Sequence, residues 1–256
     1  RFEEQAVNMG VYKRIKIYGY NDLSTEKKIQ VDNFFKIKQK RLYGYACWKA
    51  FVIKKFLDQT PEGSILQYSD IGCHLNPNGK NRLQEYVKLC DKNGILTFQY
   101  KNPNFKNFNN FKFQEYYEYQ YTKADVWKYL KISDSSEILK TKQIWSGTIF
   151  FKNNKFAREI LDKWNSLLNI NKLIDDSVST SKNHKDFIEH RHDQSLFSLI
   201  CKKRNVYSLS ASECEWAEVN NSRTWDHAIN FPIHAKRDKK YNFLKRFFNR
   251  QKKKSK

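Results

Sequence analysis

Residues 144–151 have the sequence IWSGTIFF, an apolar run interrupted only by Ser146, Gly147 and Thr148. A short run of aromatic and β-branched residues predicts a buried strand. Residues 64–69 (SILQYS) and 95–100 (ILTFQY) predict two more strands, and helical patterns separate the strands along the chain. Strands that alternate with helices predict an α/β fold, here a mixed, mainly parallel central sheet flanked by helices.

The remaining segments give weaker patterns. Residues 11–18 (VYKRIKIY) alternate apolar and basic side chains, which predicts a half-buried strand. Two polar stretches, residues 102–110 and 170–187, predict loops. Apolar side chains at helical spacing predict helices over residues 47–57, 81–91, 122–130, 156–168 and 192–203, and one that ends near Lys40.

The composition indicates a folded domain with a basic tail. Hydrophobic residues make up 39% of the 256 positions and aromatic residues 16%, which is enough apolar surface for a core and excludes a disordered chain. We predict one domain over residues 1–236, preceded in the natural protein by a further strand, and a tail over residues 237–256. The net charge of +21 attracts anions such as nucleic acid, anionic lipid or phosphorylated substrates, but it is also typical of a lysine-rich proteome.

The tail carries much of this charge. Residues 235–256 contain eleven Lys or Arg and one Asp, which is +10 of the +21. Phe243, Leu244, Phe247 and Phe248 form one apolar stripe on a helix with basic residues around it. This pattern predicts an interfacial helix on an anionic membrane surface. The alternative is that the four apolar side chains pack back on the domain.

The cysteines and apolar runs indicate the compartment. The five cysteines are odd in number and irregularly spaced, and they form no CxxC pair, so we predict reduced thiols rather than a disulfide framework or a zinc site. No apolar run approaches the ~20 residues of a membrane-spanning helix, and no signal peptide is visible. We therefore expect a cytoplasmic protein, peripheral at the inner face of the membrane.

Several polar residues stand where an α/β fold places ligands. Asp70 follows a predicted strand. A carboxylate at that position suits a divalent cation, and the alternative is a turn residue that hydrogen-bonds its own backbone. Gly147, beside Ser146 in a buried strand, marks either a ligand approaching the backbone or simple packing. Asp193 opens a helix, where the helix dipole alone favours an acid. His234 is a candidate metal ligand or a hydrogen-bonded structural residue, whereas the HxH pair at residues 190–192 lacks the second cluster that zinc needs.

These signals occur in an order that resembles GT-A glycosyltransferases, in particular the retaining galactosyl- and glucosyltransferases of glycosyltransferase family eight and bacterial relatives acting on surface polysaccharide. Where that family has a strand ending in DxD, this chain has YSDIG at residues 68–72. Where it has Asn-Ala-Gly in a strand, this chain has WSGTIFFKN at residues 145–153. The helix-opening Asp-Gln-Asp is matched by DQS at residues 193–195, and the metal-ligating histidine by His234. The resemblance covers residues 43–236.

The resemblance implies roles for individual residues. Asp193 and Gln194 would be catalytic, facing the donor sugar, and Asp70 and His234 would ligate Mn²⁺ or Mg²⁺. Two departures put the metal in doubt, because Gly72 replaces the second acid of DxD and Ser195 the second acid after the glutamine. The chain also resembles uncharacterised bacterial relatives that carry a Trp-Lys pair like Trp48-Lys49 and a sequence HRHDQ like that of residues 190–194. The residues that the resemblance assigns to donor binding are Trp48, Lys49, Asp70, Gly72, Ser146, Gly147 and Lys236.

We therefore expect an enzyme that moves a hexose from a nucleotide diphosphate sugar, UDP-linked, to a saccharide or lipid-linked saccharide acceptor with retention of configuration. The variable loops of residues 102–121 and 170–185 would bind the acceptor. One alternative is a nucleic-acid-binding protein, in which the basic charge and the aromatic residues 105–121 form a groove with stacking platforms. Another is a catalytically inactive protein of the same fold, given the altered DxD.

Overall fold

The computed structural model describes residues 1–36, 42–103 and 110–236. The tail of residues 237–256, part of the aromatic segment 105–121 and the end of the predicted helix near Lys40 lie outside the described residues. The main helices are α1 (Phe2–Met9), α2 (Thr25–Lys36), α3 (Lys49–Leu57), α4 (Lys80–Asn93), α5 (Ala124–Tyr129), α6 (Lys155–Leu168) and α7 (His192–Lys203), with short turns of helix at Glu118–Tyr121 and Asn171–Ile174. The strands are β1 (Ile65–Ser69), β2 (His74–Leu75), β3 (Ile95–Gln99), β4 (Ile144–Lys152), β5 (Ser208–Ser210), β6 (Ala217–Val219), β7 (Ser222–Thr224) and β8 (Ile233–His234).

The central sheet has four described strands in the order β1-β4-β3-β5. The α/β class is confirmed, but the expectation of a mainly parallel sheet is wrong. β4 lies antiparallel to β1 on one side and to β3 on the other, and only β3 and β5 are parallel neighbours. Two small antiparallel pairs, β2 with β8 and β6 with β7, lie outside this sheet.

The path of residues 100–143 explains the direction of β4. β3 ends at Gln99, which is paired with Ile144, the first residue of β4. The main-chain amide of Tyr100 donates to the carbonyl of Gln143 at 2.9 Å, so the chain leaves β3 and enters β4 at the same end of the sheet. A strand that enters where its neighbour ended must run in the opposite direction. The described α-helices between β3 and β4, Glu118–Tyr121 and Ala124–Tyr129, are short, and a parallel strand would require the chain to cross back to the opposite end of the sheet.

Side chains on the two faces of the sheet form two apolar clusters. The larger cluster packs the sheet against α3, α6 and α7 and contains Trp164 and Phe197, whose ring centroids lie 4.5 Å apart. The second cluster packs the sheet against α4 and contains Tyr86 and Phe98, at 5.2 Å. β4 is buried at every position except its last, as the apolar run predicts for a strand covered on both faces.

The predicted strand at residues 11–18 does not form. These residues are extended without strand pairing, although their alternation is still used in packing. The hydroxyl of Tyr12 donates to Gln67 of β1 at 2.6 Å, and the ring of Tyr18 packs edge-on against Phe56 of α3 at 6.4 Å. The apolar side chains therefore contact the core from a segment that makes no backbone ladder.

Residues 42–46, just before α3, have an unusual backbone. All five have φ between 48° and 74°, which is the left-handed region, and Gly44 is the only glycine among them. The amide of Ala46 donates to the carbonyl of Leu42 at 3.1 Å, so the segment forms one turn of left-handed helix. This conformation costs roughly 1–2 kcal/mol for each residue that has a Cβ. It is held by Tyr45, which is fully buried against Phe34 and the ring of His192.

None of the five cysteines, all of which are buried in the described part of the chain, forms a disulfide. Within residues 1–36, 42–103 and 110–236, no helix has both the length and the apolarity needed to cross a membrane.

Candidate functional site

The sheet brings several candidate residues together at the end toward which β1 and β3 run. β1 and β3 both run antiparallel to β4, so both point toward the amino end of β4; Ser69 at the end of β1 is paired with Thr148, and Gln99 at the end of β3 with Ile144. Asp70 directly follows β1, and Ser146 is the third residue of β4. Asp193 lies in the first turn of α7, and Lys49 is the first residue of α3. Four elements distant in sequence therefore supply one cluster, which we call the Lys49 cluster.

The ammonium of Lys49 is the centre of this cluster. Its Nζ lies 2.7 Å from Oδ2 of Asp193 and 3.3 Å from Oδ1 of Asp70. It is also 3.3 Å from the hydroxyl of Ser146, which itself donates to Oδ2 of Asp193 at 2.8 Å. Asp70 and Asp193, 123 positions apart in the numbering of the chain, thus share one lysine.

Burial and charge set the electrostatics of the cluster. The side chains of Lys49 and Asp193 are each 4% exposed, whereas that of Asp70 is 38% exposed, so the cluster opens to solvent at Asp70. Burial alone would lower the pKa of Lys49, but the charges of Asp193 and Asp70 outweigh it and the pKa lies above its usual value. One ammonium and two carboxylates give the cluster a formal net charge of −1, which favours a cationic group beside it.

Two supporting side chains were not among the residues assigned from the sequence. The hydroxyl of Tyr68 donates to Oδ1 of Asp70 at 2.6 Å, and the indole N–H of Trp164 donates to the main-chain carbonyl of Asp193 at 3.1 Å. Burial, and then the charge of Asp70, raise the pKa of Tyr68 well above the usual range, so the phenol is neutral and donates. Strand alternation could have identified Tyr68, because residues i and i+2 share a face.

Gln194 makes a different contact from its neighbour Asp193. Its side-chain nitrogen donates to the side-chain oxygen of Gln143 at 2.7 Å, and Gln143 in turn donates to the main-chain carbonyl of Tyr121 at 3.1 Å. Gln194 is buried and packs at the start of β4, whereas Asp193 contacts Lys49. The structure therefore places these two assigned residues in different polar groups, joined through the first turn of α7.

The other residues assigned to the donor surround the Lys49 cluster. The amide of Asp70 donates to the carbonyl of Gly147 at 2.8 Å, and a Cβ on Gly147 would meet the ring of Trp145 at 2.2 Å, so packing alone accounts for this glycine. Gly72 lies in a turn closed by the amide of Cys73, which donates to the carbonyl of Asp70 at 2.8 Å. Trp48 is half-buried beside Lys49 and donates its indole N–H to the carbonyl of Tyr43 at 3.1 Å.

His234 and Lys236 reach the same region through β8. His234 is paired with His74, four residues beyond Asp70. Its Nε2 lies 2.7 Å from the carbonyl oxygen of Ala228, to which it donates because a carbonyl can only accept, and burial lowers the pKa of its imidazole. The ammonium of Lys236 lies 5.4 Å from the centre of the Trp225 ring.

The described residues fit a bound Mn²⁺ or Mg²⁺ poorly. They contain no group of three or more His, Cys, Asp or Glu side chains that could hold a metal. The ammonium of Lys49 already takes a place beside Asp70 where a cation would bind. One ring nitrogen of His234 is used by the Ala228 carbonyl. No step proposed below depends on a metal, and the requirement for a divalent ion stays a prediction.

Both histidines of the HxH pair hydrogen-bond main-chain carbonyls of another segment. His190 Nε2 lies 2.8 Å from the carbonyl oxygen of Leu173, and His192 Nδ1 lies 2.7 Å from that of Ile174. His192 is fully buried, has φ of 51° and contacts the ring of Tyr45. These contacts tie the start of α7 to the helical turn Asn171–Ile174 and to the left-handed turn of residues 42–46.

Comparison of the chain with protein-family models, with curated proteins and with solved structures found no match. The physical evidence for a function is therefore the Lys49 cluster itself: a buried lysine and two carboxylates at the edge of the sheet where β1 and β3 end.

Proposed function

We propose that the chain is a glycosyltransferase that transfers a hexose from a nucleotide diphosphate sugar, UDP-linked, to a saccharide hydroxyl. The observation that carries the proposal is the Lys49 cluster, in which one ammonium lies 2.7 Å from Asp193 and 3.3 Å from Asp70. Ligands of α/β sheets bind outside the carboxyl ends of strands, and Asp70 stands at such an end and is open to solvent.

The charge of the cluster suits the chemistry of glycosyl transfer. As the bond from the anomeric carbon to the diphosphate breaks, positive charge develops on the sugar ring and negative charge on the leaving group. The formal net charge of −1 on Lys49, Asp70 and Asp193 stabilises the ring, and fixed charges of this kind act more strongly once the bound donor covers the open side at Asp70 and displaces water. Lys49 also orients the Asp193 carboxylate, since it contacts the same oxygen that Ser146 contacts.

The leaving diphosphate needs a positive group of its own. We assign Lys236 to it, because Lys236 follows β8, which is paired with β2 just beyond the turn after Asp70. The acceptor hydroxyl oxygen forms a bond to the anomeric carbon, the bonding electrons of the donor pass to the departing diphosphate, and the hydroxyl proton passes to an oxygen of that diphosphate. Retention of configuration, which the resemblance implies, requires the acceptor to approach from the face that the diphosphate leaves.

We place the reaction at the inner face of the cytoplasmic membrane, with the acceptor attached to lipid or to a growing surface glycan. The basic tail supports this location by its charge and its apolar stripe. A chain held at an anionic surface by several lysines meets a membrane-bound acceptor more often than a freely diffusing one.

Titration calorimetry of the full chain with UDP, with and without Mn²⁺, tests donor binding, and release of UDP from UDP-hexoses in the presence of saccharides tests transfer. Asp70→Asn should lower transfer by roughly 100-fold, because it removes a fixed charge next to the reacting sugar. Asp162→Asn is the matched control, since Asp162 lies at the same 3.3 Å from a lysine, Lys54, but on the exposed surface. Transfer at the parent rate by Asp70→Asn, or no affinity for any nucleotide diphosphate, would refute the assignment.

A further inference from the structure

Another cationic side chain, besides Lys49 and Lys236, lies near this end of the sheet and has no role in the proposed transfer. Arg191 is the residue that precedes α7, and its guanidinium carbon lies 3.7 Å from the centre of the Tyr116 ring and 5.6 Å from that of Tyr121. The Tyr116 ring in turn packs edge-on against Tyr100 at 4.7 Å and against Tyr121 at 4.9 Å. We call these four residues the Arg191 site.

The guanidinium of Arg191 is held in place but makes no hydrogen bond to the described residues. Its closest carboxylate oxygen, on Glu189, lies 3.8 Å from Nε, which is too long for a hydrogen bond. Nη1 is buried and has no acceptor. The carboxylate of Glu215 accepts instead from the hydroxyl of Tyr100 at 3.1 Å. A buried donor without an acceptor is costly. The Arg191 side chain as a whole is 25% exposed, so a ligand that brings acceptor oxygens can reach the guanidinium from its open side.

The Arg191 site is next to the Lys49 cluster. Arg191 and Asp193 are two residues apart, so their Cα atoms are separated by at most roughly 7 Å. Tyr100 directly follows β3 and Asp70 directly follows β1, and the last residues of these strands, Gln99 and Ser69, lie opposite Ile144 and Thr148 of β4. The amide of Arg191 also donates to the carbonyl of Tyr121 at 3.2 Å, which fixes the start of α7 against the tyrosines.

We propose that Arg191, stacked on Tyr116, binds the carboxylate or phosphate group of an anionic saccharide, which is the acceptor of the transfer. The planar guanidinium matches the paired oxygens of a carboxylate or a phosphate. The tyrosine rings provide apolar faces with polar edges, which suit a sugar ring. The assignment to an acceptor rests on the proposed function, whereas the binding of an anionic saccharide does not.

The experiment is titration calorimetry of the full chain with methyl glucuronoside, methyl glucoside, glucose 6-phosphate and UDP. The unmodified chain should bind the two anionic sugars roughly 10- to 100-fold more tightly than the neutral one, as expected for a charge-assisted contact. Arg191→Gln should abolish this preference and leave UDP affinity unchanged. Arg204→Gln is the matched control, because Arg204 lies at the other end of α7, 5.4 Å from the centre of the Phe156 ring, and pairs with Glu159.

Two results would overturn the proposal. Equal affinity of the unmodified chain for the charged and neutral sugars does so without any variant. A loss of UDP affinity in Arg191→Gln as large as the loss for the anionic sugars would assign the arginine to the donor diphosphate. If the chain binds anionic sugars through Arg191 but no nucleotide diphosphate, the Arg191 site stands and the proposed transferase fails. A preference for only one of the two anions identifies the acidic group.

Discussion

Replacement of Lys49 by methionine keeps the length of the side chain and removes the charge that two carboxylates share. Lys49 and Asp193 are each 4% exposed and are 2.7 Å apart, so the variant leaves the charge of Asp193 buried without its partner. Breaking a buried ion pair from one side costs about 3–5 kcal/mol. For a chain of this size each kcal/mol lowers Tm by about 2–4 °C, so the expected decrease is roughly 6–20 °C. The Asp70 contact adds little because that carboxylate is half-exposed.

Urea unfolding at pH 7, followed by circular dichroism, measures the effect. A second variant, Lys49→Met with Asp193→Asn, removes the stranded charge and should recover part of the lost free energy of unfolding. Lys54→Met is the matched control on the same helix, because Lys54 is partly exposed and its ion pair with Asp162, at 3.3 Å, contributes only about 0–1 kcal/mol.

The outcome that refutes this reasoning is a Lys49→Met protein as stable as Lys54→Met. A double variant less stable than Lys49→Met would also refute it, since the aspartate would then contribute through something other than its charge.

Four further outcomes are expected. Gly44→Ala should lower the free energy of unfolding by about 1–2 kcal/mol, because φ is +74° and the new Cβ meets the Val31 backbone at 3.4 Å. Gly63→Ala is the control in the same urea assay: φ is +79° and nothing lies within 4 Å, so only the cost of a Cβ at positive φ is measured. Folding raises the pKa of Tyr68 well above 10.0, so the stabilisation that depends on the neutral phenol is complete below about pH 10 and is lost above it. Between pH 7 and about pH 10.5, Tyr68→Phe should therefore lose less free energy of unfolding than the unmodified protein loses. His234→Ala should cost about 1 kcal/mol through its lost bond to a main-chain carbonyl and leave any Mn²⁺ dependence of UDP binding unchanged; loss of that dependence would assign the histidine to a metal. A chain that ends at Lys239 should keep UDP affinity but no longer sediment with vesicles of anionic lipid, whereas the full chain should be largely released at about half-molar salt; equal sedimentation would exclude the tail as the anchor.

Those parts of the site that depend on local pattern could be predicted from the sequence. Asp70 and Asp193 stand at a strand end and a helix start, and such boundaries are visible as changes of hydrophobic period. Ser146 was found from the glycine beside it, although packing against Trp145 explains that glycine. Lys49 came only through the resemblance, because a lysine in the first turn of a helix has no pattern that marks it as buried.

The rest depends on tertiary contacts that local patterns do not contain. The apolar composition of β4 predicts a buried strand but not its direction. That it runs antiparallel to β1 and β3 could be learned only from where residues 100–143 leave and re-enter the sheet. The left-handed turn of residues 42–46 contains one glycine, and its other residues adopt φ > 0 only because Tyr45 is fixed by contacts with distant elements. The side chain of Gln194 was assigned with that of Asp193, but successive helix positions point in different directions.

The central position of β4 has a consequence for the order of folding. β1 and β3 never pair with each other, and each waits for a strand made later, since Ser69 pairs with Thr148 and Gln99 with Ile144. In the finished sheet they lie two strand spacings apart, roughly 9.5 Å, and until β4 is made both present open backbone edges. Closing such long loops is slow, and open edges can pair with other chains in the meantime. The ribosome must release β4 before β1 and β3 can be joined, and β5 later still before the other edge of β3 is covered, so the nascent chain keeps this strand edge open until Ser210 has been made.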